Sequence, residues 1–290
     1  MTTSRLARAL RAGLGAAAFG VAFVPALALS AAGEPIVLSP HRAIYQMTLA
    51  ATRGGAGVSS VVGRMAYDLT GSACEGYTQG MRFVTRLTNQ SGNTVVTDLR
   101  SSSWEDGSGK RFRFDSSQYR DEKATENTAG DAARPDTSDG IKVELTKPAK
   151  KNLSLPARVY FPMQHTIALI KAARANKTSF RADLYDGSEK GEKVYDTVAA
   201  IGRVQPPGGQ RKLPAVKNAE RLDRQSAWPV SIAYFEPGAA GSDALPVYEL
   251  SFLMFENGVS RQLYIDYGEF ALQGELTEIT FHEPSKCEAK

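Results

Sequence analysis

Apolar and polar residues alternate with a period of two along much of this chain. Tyr45, Met47 and Leu49 are separated by Gln46 and Thr48, and Val61, Met65, Tyr67 and Leu69 are set against Arg64 and Asp68. Met81, Phe83 and Leu87 stand against Arg82 and Arg86, Val95, Thr97 and Leu99 against Asp98 and Arg100, and Phe112 and Phe114 sit among Arg111, Arg113 and Asp115. Side chains in a strand point to opposite faces in turn, so each segment reads as a β-strand with one dry and one wet face. Further strands are expected at 141–145, 180–184, 194–201 and 228–234.

The clearest hairpin lies late in the chain. Tyr248, Leu250, Phe252 and Met254 lead through Glu256-Asn257-Gly258 into Val259, Leu263, Ile265 and Tyr267, and Asn-Gly supplies the positive backbone angles of a tight turn. A last pair is expected over 270–281. About a dozen strands or slightly more, with short connections and almost no strand-helix-strand spacing, predict a mainly β fold. Its form should be one antiparallel sheet curled into a spiral or barrel-like shape.

One short helix interrupts the series. Pro162 suits an early helical position, and Ile167, Ile170 and Ala173 share a face. It is expected to plug an open end of the sheet. Residues 120–140 contain no large apolar side chain, and 204–225 carry Pro206-Pro207-Gly208-Gly209 among many charges. Both read as long surface loops of one domain, because the strand pattern resumes after each.

The first thirty-two residues follow a different rule. Arg5, Arg8 and Arg11 precede a small, apolar stretch from Ala12 to Leu29, and 26–32 offer several small-x-small cleavage positions. This is the pattern of a cleavable signal peptide over 1–32, leaving a single β-spiral domain over 33–290. The run is short and Ala/Gly-rich for a membrane anchor, and no cysteine stands near the cleavage region to accept lipid. The expected product lacks an integral membrane segment and resides in a bacterial periplasm.

Removing that segment alters the charge. The chain has 35 Lys+Arg and 31 Asp+Glu, a net of +4, and the three arginines of 1–32 face no acid, so the mature part is close to neutral. Excess charge therefore gives no reason to expect nucleic acid, and a basic face would have to come from local clustering. Lys147, Lys150 and Lys151 are the densest cluster along the chain and read as a solvated loop.

Two cysteines remain, Cys74 and Cys287. In an oxidising compartment they are the one possible intramolecular bridge, and they would close most of the mature chain into a ring. A reactive thiol is the alternative reading, but neither cysteine has a CxxC partner or a histidine nearby in sequence. The disulfide reading is preferred.

The search for catalytic chemistry is mostly negative. No GxSxG, HExxH, SxxK or Walker loop occurs, and no metal or cofactor is indicated. His41, His165 and His282 are far apart in sequence and read as hydrogen-bonded structural residues rather than zinc ligands. Asp183, Asp186, Glu189 and Glu192 lack the spacing of a calcium loop, and Asp186-Gly187-Ser188 followed by Gly191 is more naturally a turn. Eleven Tyr, twelve Phe and two Trp fill a core or line an apolar cavity, and composition favours the core.

Several segments resemble a known family. Pro40-His41-Arg42-Ala43-Ile44-Tyr45, Phe161-Pro162-Met163-Gln164-His165-Thr166, Asp186-Gly187-Ser188, Val194-Tyr195-Asp196-Thr197 and Trp228-Pro229-Val230 are similar, in that order, to the EipB-type cell envelope integrity proteins of Gram-negative alphaproteobacteria. No one of these motifs is diagnostic; their order and the cysteine positions carry the likeness. The resemblance implies a periplasmic protein whose strands form a closed β-spiral, with one disulfide joining early and late parts. It implies a role in envelope maintenance without specifying a molecular activity.

These readings together predict a non-enzymatic periplasmic protein supporting envelope integrity, by binding a lipid or lipoprotein segment or a periplasmic envelope protein partner. The alternative is an envelope hydrolase acting on peptidoglycan or glycan, for which His165 and Asp186 are the residues to test.

Overall fold

The computed structural model describes residues 35–55, 57–136, 140–209, 213–241 and 243–287. The signal peptide expected over 1–32 lies outside them. The alternation does produce strands, in one antiparallel sheet of fourteen. These are β1 (His41–Thr52), β2 (Val58–Ser72), β3 (Gly76–Asn89), β4 (Thr94–Glu105), β5 (Arg111–Arg120), β6 (Lys123–Ala133), β7 (Gly140–Lys147) and β8 (Lys151–Pro156). After helix α1 (Pro162–Arg174) come β9 (Ser179–Leu184), β10 (Tyr195–Ile201), β11 (Ala227–Phe235), β12 (Tyr248–Phe255), β13 (Ser260–Asp266) and β14 (Phe270–Phe281).

Every neighbouring pair in the sheet is consecutive in sequence except one. The order runs from β8 back to β1, crosses to β14, and continues back to β9. The seam is long, from His41 opposite Phe281 to Thr52 opposite Phe270. The expected hairpin is present between β12 and β13. Gly258 takes φ 87° there, and the Phe255 N–H donates to Val259 O at 2.8 Å.

The sheet does not close strand to strand, which corrects the closed spiral implied by resemblance. Its edge strands are β8 and β9. The chain leaving β8 runs directly onto the β9 edge, where Tyr160 N–H donates to Asp183 O at 2.8 Å and Tyr185 N–H donates to Tyr160 O at 2.9 Å. A short connector thus covers the edge a neighbouring strand would otherwise take.

A second correction concerns residues 120–140, expected as a loop. They contain the eleven-residue strand β6. Its buried positions are Thr128, Ala129, Gly130 and Ala132, all small, because its neighbours are large. A Cβ placed on Gly130 would come 2.9 Å from the Phe114 ring and 3.0 Å from Leu145. Small residues are what a strand needs beside phenylalanines at close-packed density, and they leave no apolar alternation to read. The described residues of 204–225 form no strand or α-helix, as expected, with one 3-10 turn at Leu222–Arg224 whose Leu222 is buried.

Three apolar clusters fill the curl. One packs α1, through Met163, Leu169 and Ile170, against Tyr195, Ile201, Trp228, Val230 and Tyr234. A second lies along the seam, with Tyr45, Met47, Met65, Leu263, Leu272 and Ile279. The third gathers Phe112, Phe114, Ile141, Val143 and Leu145 with Phe161 of the connector and Tyr185.

Candidate functional site

Helix α1 holds two buried titratable side chains, Glu105 at its start and its own His165. Pro162 starts it at the first turn, and its N-cap, Phe161, offers no capping side chain. The exposed N–H groups are met from across the sheet. Glu105, the last residue of β4, accepts hydrogen bonds from Met163 N–H at 2.7 Å and Gln164 N–H at 3.0 Å. The carboxylate thus sits at the positive end of the helix dipole. It is only 3 % exposed. Burial pushes its pKa up to about 7, while the two N–H donors pull the other way.

Arg134, from the end of the polar stretch, braces the same end. Its guanidinium donates to Gly109 O at 2.9 Å, to Ala157 O at 2.6 Å and to Val159 O, and lies 4.8 Å over the Phe161 ring. Sequence reading passed over both residues. For Glu105 a signal existed: it shares strand parity with Leu99 and so points an acid toward the interior side.

His165 lies on the buried side of α1. Its Nε2 is 3.1 Å from Thr197 Oγ1, whose hydroxyl donates to Ala182 O at 2.7 Å, so the imidazole is the donor to Thr197. The ring packs against Tyr160 and Phe180. Burial lowers its pKa to about 4, so it is neutral at physiological pH. His41 Nδ1 meets Ser39 O at 2.7 Å and is likewise held below its ordinary value by burial. His282 meets Asp68 at 3.2 Å. His41 and His282 are thus neighbours, close enough that each feels the other and Asp68, whereas His165 stands apart on α1.

The acids at the end of β9 and in the β9–β10 connection also serve separate partners. Asp183 pairs with Arg158 at 2.6 Å, Glu192 pairs with Lys151, and Asp186 accepts from Ser188 N–H at 2.9 Å. Lys147 of the basic cluster reaches Asp115 at 3.1 Å. The 186–193 turn is pressed into the third cluster. Gly187 has φ 76°, and a Cβ there would lie 2.4 Å from Phe114. Behind it, Tyr234 and Tyr248 stack at 4.2 Å, with Tyr195 edge-on to both. Burial raises the pKa of Asp186, and that of Tyr234 beside it.

Cys74, in the β2–β3 turn, and Cys287, in the tail after β14, form a disulfide with Cα atoms 5.7 Å apart and a sequence separation of 213. Both are exposed. The tail reaches this point along the hairpin end, with His282 N–H on Pro40 O and Ser285 N–H on Gly71 O. Among the described residues no cluster of His, Cys, Asp or Glu has metal-binding geometry, and no helix is long and apolar enough to cross a membrane.

Residues 32–283 match the family described as EipB-like. A curated relative, the cell envelope integrity protein EipB of Brucella abortus (strain 2308), is 34% identical over 258 residues, which is 89% of each chain. A solved structure, a β-barrel-like protein of a domain of unknown function from Brucella abortus, aligns with a TM-score of 0.76 and 34% identity. The alignment covers 85% of this chain and 99% of that one.

Proposed function

This chain belongs to the EipB-like family, and from that membership we propose that it supports the integrity of the cell envelope as a non-catalytic binding protein of the periplasm. Its contacts with envelope components are made on the outside of the spiral. The observation that carries this reading is the fate of the candidate catalytic groups. His165 spends its ring nitrogen on Thr197, and Glu105 spends both oxygens on the α1 backbone, each within a packed core. Three apolar clusters occupy the curl, which favours binding at the surface over holding an acyl chain inside.

Two measurements test the proposal. Zymography of the purified protein on cell wall should give no lytic band; a band lost in His165→Gln or Asp186→Asn would replace this reading with the hydrolase one. Depletion in living cells should raise sensitivity to envelope-directed detergents, and unchanged sensitivity would remove the envelope role.

A further inference from the structure

Five aromatic rings form an arc at one end of the curl, although no stretch of sequence places them together. Tyr195 begins β10, Tyr234 lies near the end of β11, Tyr248 begins β12, Tyr267 follows β13 and Phe270 begins β14, so antiparallel pairing brings them to one rim. Each ring touches the next. Between ring centres, Tyr195 is 5.7 Å from Tyr234, Tyr234 is 4.2 Å from Tyr248, Tyr248 is 6.4 Å from Tyr267, and Tyr267 is 5.2 Å from Phe270. Exposure rises along the arc from 3% at Tyr195 and 7% at Tyr234 to 41% at Tyr267, so its outer end is open to solvent.

The inner end of the arc is polar. Asp186 is half-buried and lies within electrostatic reach of the hydroxyls of Tyr195, Tyr234 and Tyr248. Other buried tyrosines are tied to the backbone: the Tyr45 and Tyr185 hydroxyls donate to Ser260 O and Gly191 O, and the Tyr77 oxygen accepts the Leu38 N–H. Among the described residues no hydroxyl of the arc reaches a backbone group; Tyr195 turns toward Ser188, and Tyr234 toward Tyr248. Ser188 Oγ is itself buried without a formed hydrogen bond among the described residues. Buried polar groups are ordinarily satisfied by the fold, so this network has hydrogen-bonding capacity left over at its half-buried members, Asp186 and Tyr248.

We propose that this rim binds an uncharged saccharide, with a sugar C–H face laid on the Tyr267 ring and sugar hydroxyls meeting the Tyr248 hydroxyl and the Asp186 carboxyl. A sugar ring has an apolar face and a hydrogen-bonding edge, and a tyrosine arc ending in an acid offers the complement of both. Other ligand classes match it less well. An anion would meet Asp186 and the exposed Glu269. A cation would find its place filled from within, because the Lys193 ammonium lies 4.7 Å over the Tyr195 ring and pairs with Glu236 at 2.7 Å. An acyl chain would cover hydroxyls and a carboxyl without giving them partners, which is costly. The assignment rests on the reading of a surface-binding envelope protein and deepens it by naming the ligand chemistry.

Saturation-transfer NMR with soluble tetrasaccharides of glucose and of N-acetylglucosamine tests it on the mature protein. At least one of the two should take up signal from the aromatic protons, while glucose 6-phosphate and choline should not. Tyr267→Ala should weaken binding about tenfold, the loss of one stacked ring. Tyr248→Phe keeps its ring, loses its hydroxyl and should bind several-fold more weakly. Tyr119→Ala, on the far face under Arg100, should bind as the parent does. The proposal is overturned if neither tetrasaccharide binds, if choline binds as well as they do, or if Tyr119→Ala loses as much as Tyr267→Ala. Absence of saccharide binding with heightened detergent sensitivity on depletion would remove this site and leave the envelope role standing; saccharide binding with unchanged sensitivity would do the reverse.

Discussion

Glu105 caps a helix from far along the chain: its Oε2 accepts the N–H of Met163, 58 residues later, at 2.7 Å. A buried acid with its pKa raised to about 7 binds its proton more tightly in the folded state than in the unfolded one. Its contribution to stability is therefore fully present below the ordinary value of 4.5 and is lost as pH rises through about 7. Denaturant unfolding of the native chain should show stability declining across that window. Glu105→Gln should flatten the decline, and an unchanged slope would mean that Glu105 is not its source.

His165 should act in the opposite sense. Its folded pKa of about 4 lies below the ordinary 6.5, so the stability it supports is present above 6.5 and is lost as pH falls toward 4. His165→Ala should cost about 2–4 kcal/mol at neutral pH, from the cavity and the hydrogen bond that Thr197 Oγ1 no longer accepts. Thermal melts followed by circular dichroism read this directly. A cost below ~0.5 kcal/mol would contradict the packed, hydrogen-bonded setting.

The Cys74–Cys287 bond closes 213 residues, and both sulfur-bearing residues are exposed. The chain-entropy argument gives it about 5 kcal/mol as an upper figure. Cys74→Ser should lower the melting temperature and speed limited proteolysis. Reductant should produce the same change in the native protein, without prior unfolding. Thiol labelling of the untreated native protein should find neither cysteine reactive; labelling of both would end this account.

Gly187 tests how the 186–193 turn is seated. With φ 76° and a Cβ that would lie 2.4 Å from the Phe114 ring, Gly187→Ala should destabilise by about 1–3 kcal/mol. Phe114→Leu in the same chain should recover part of that loss. Additive costs in the double-mutant cycle would show that the two residues do not press on each other.

The strands built from large apolar residues were legible because Tyr45, Met47 and Leu49, or Phe112 and Phe114, announce a buried face by alternation. Strand β6 was not, since Thr128, Gly130 and Ala132 are small in order to fit against Phe114 and Leu145. The helix was legible from Pro162 and its apolar spacing. The interior-facing parity of its anchor Glu105 was legible too, but the contact between them was not, because it depends on how far the sheet curls. Arg64 and Arg86 are separated by many residues and become neighbours only through the pairing of Val62 with Arg86 and Arg64 with Val84. Linear clustering pointed instead to Lys147, Lys150 and Lys151. A sequence displays charge along one line, whereas a sheet reads it in two directions.

The one non-consecutive pairing, β1 against β14, governs how this molecule is put together. Two meanders, β1 to β8 and β9 to β14, can each grow hairpin by hairpin from local contacts. The strand made first then waits for the strand made last before Tyr45 meets Leu276. A chain emerging from its N-terminal end therefore keeps β1 as an open edge until β14 has been made. Chains cut before Phe270 should accumulate as aggregates that sediment, and the last dozen residues of the sheet act as the latch of the whole assembly.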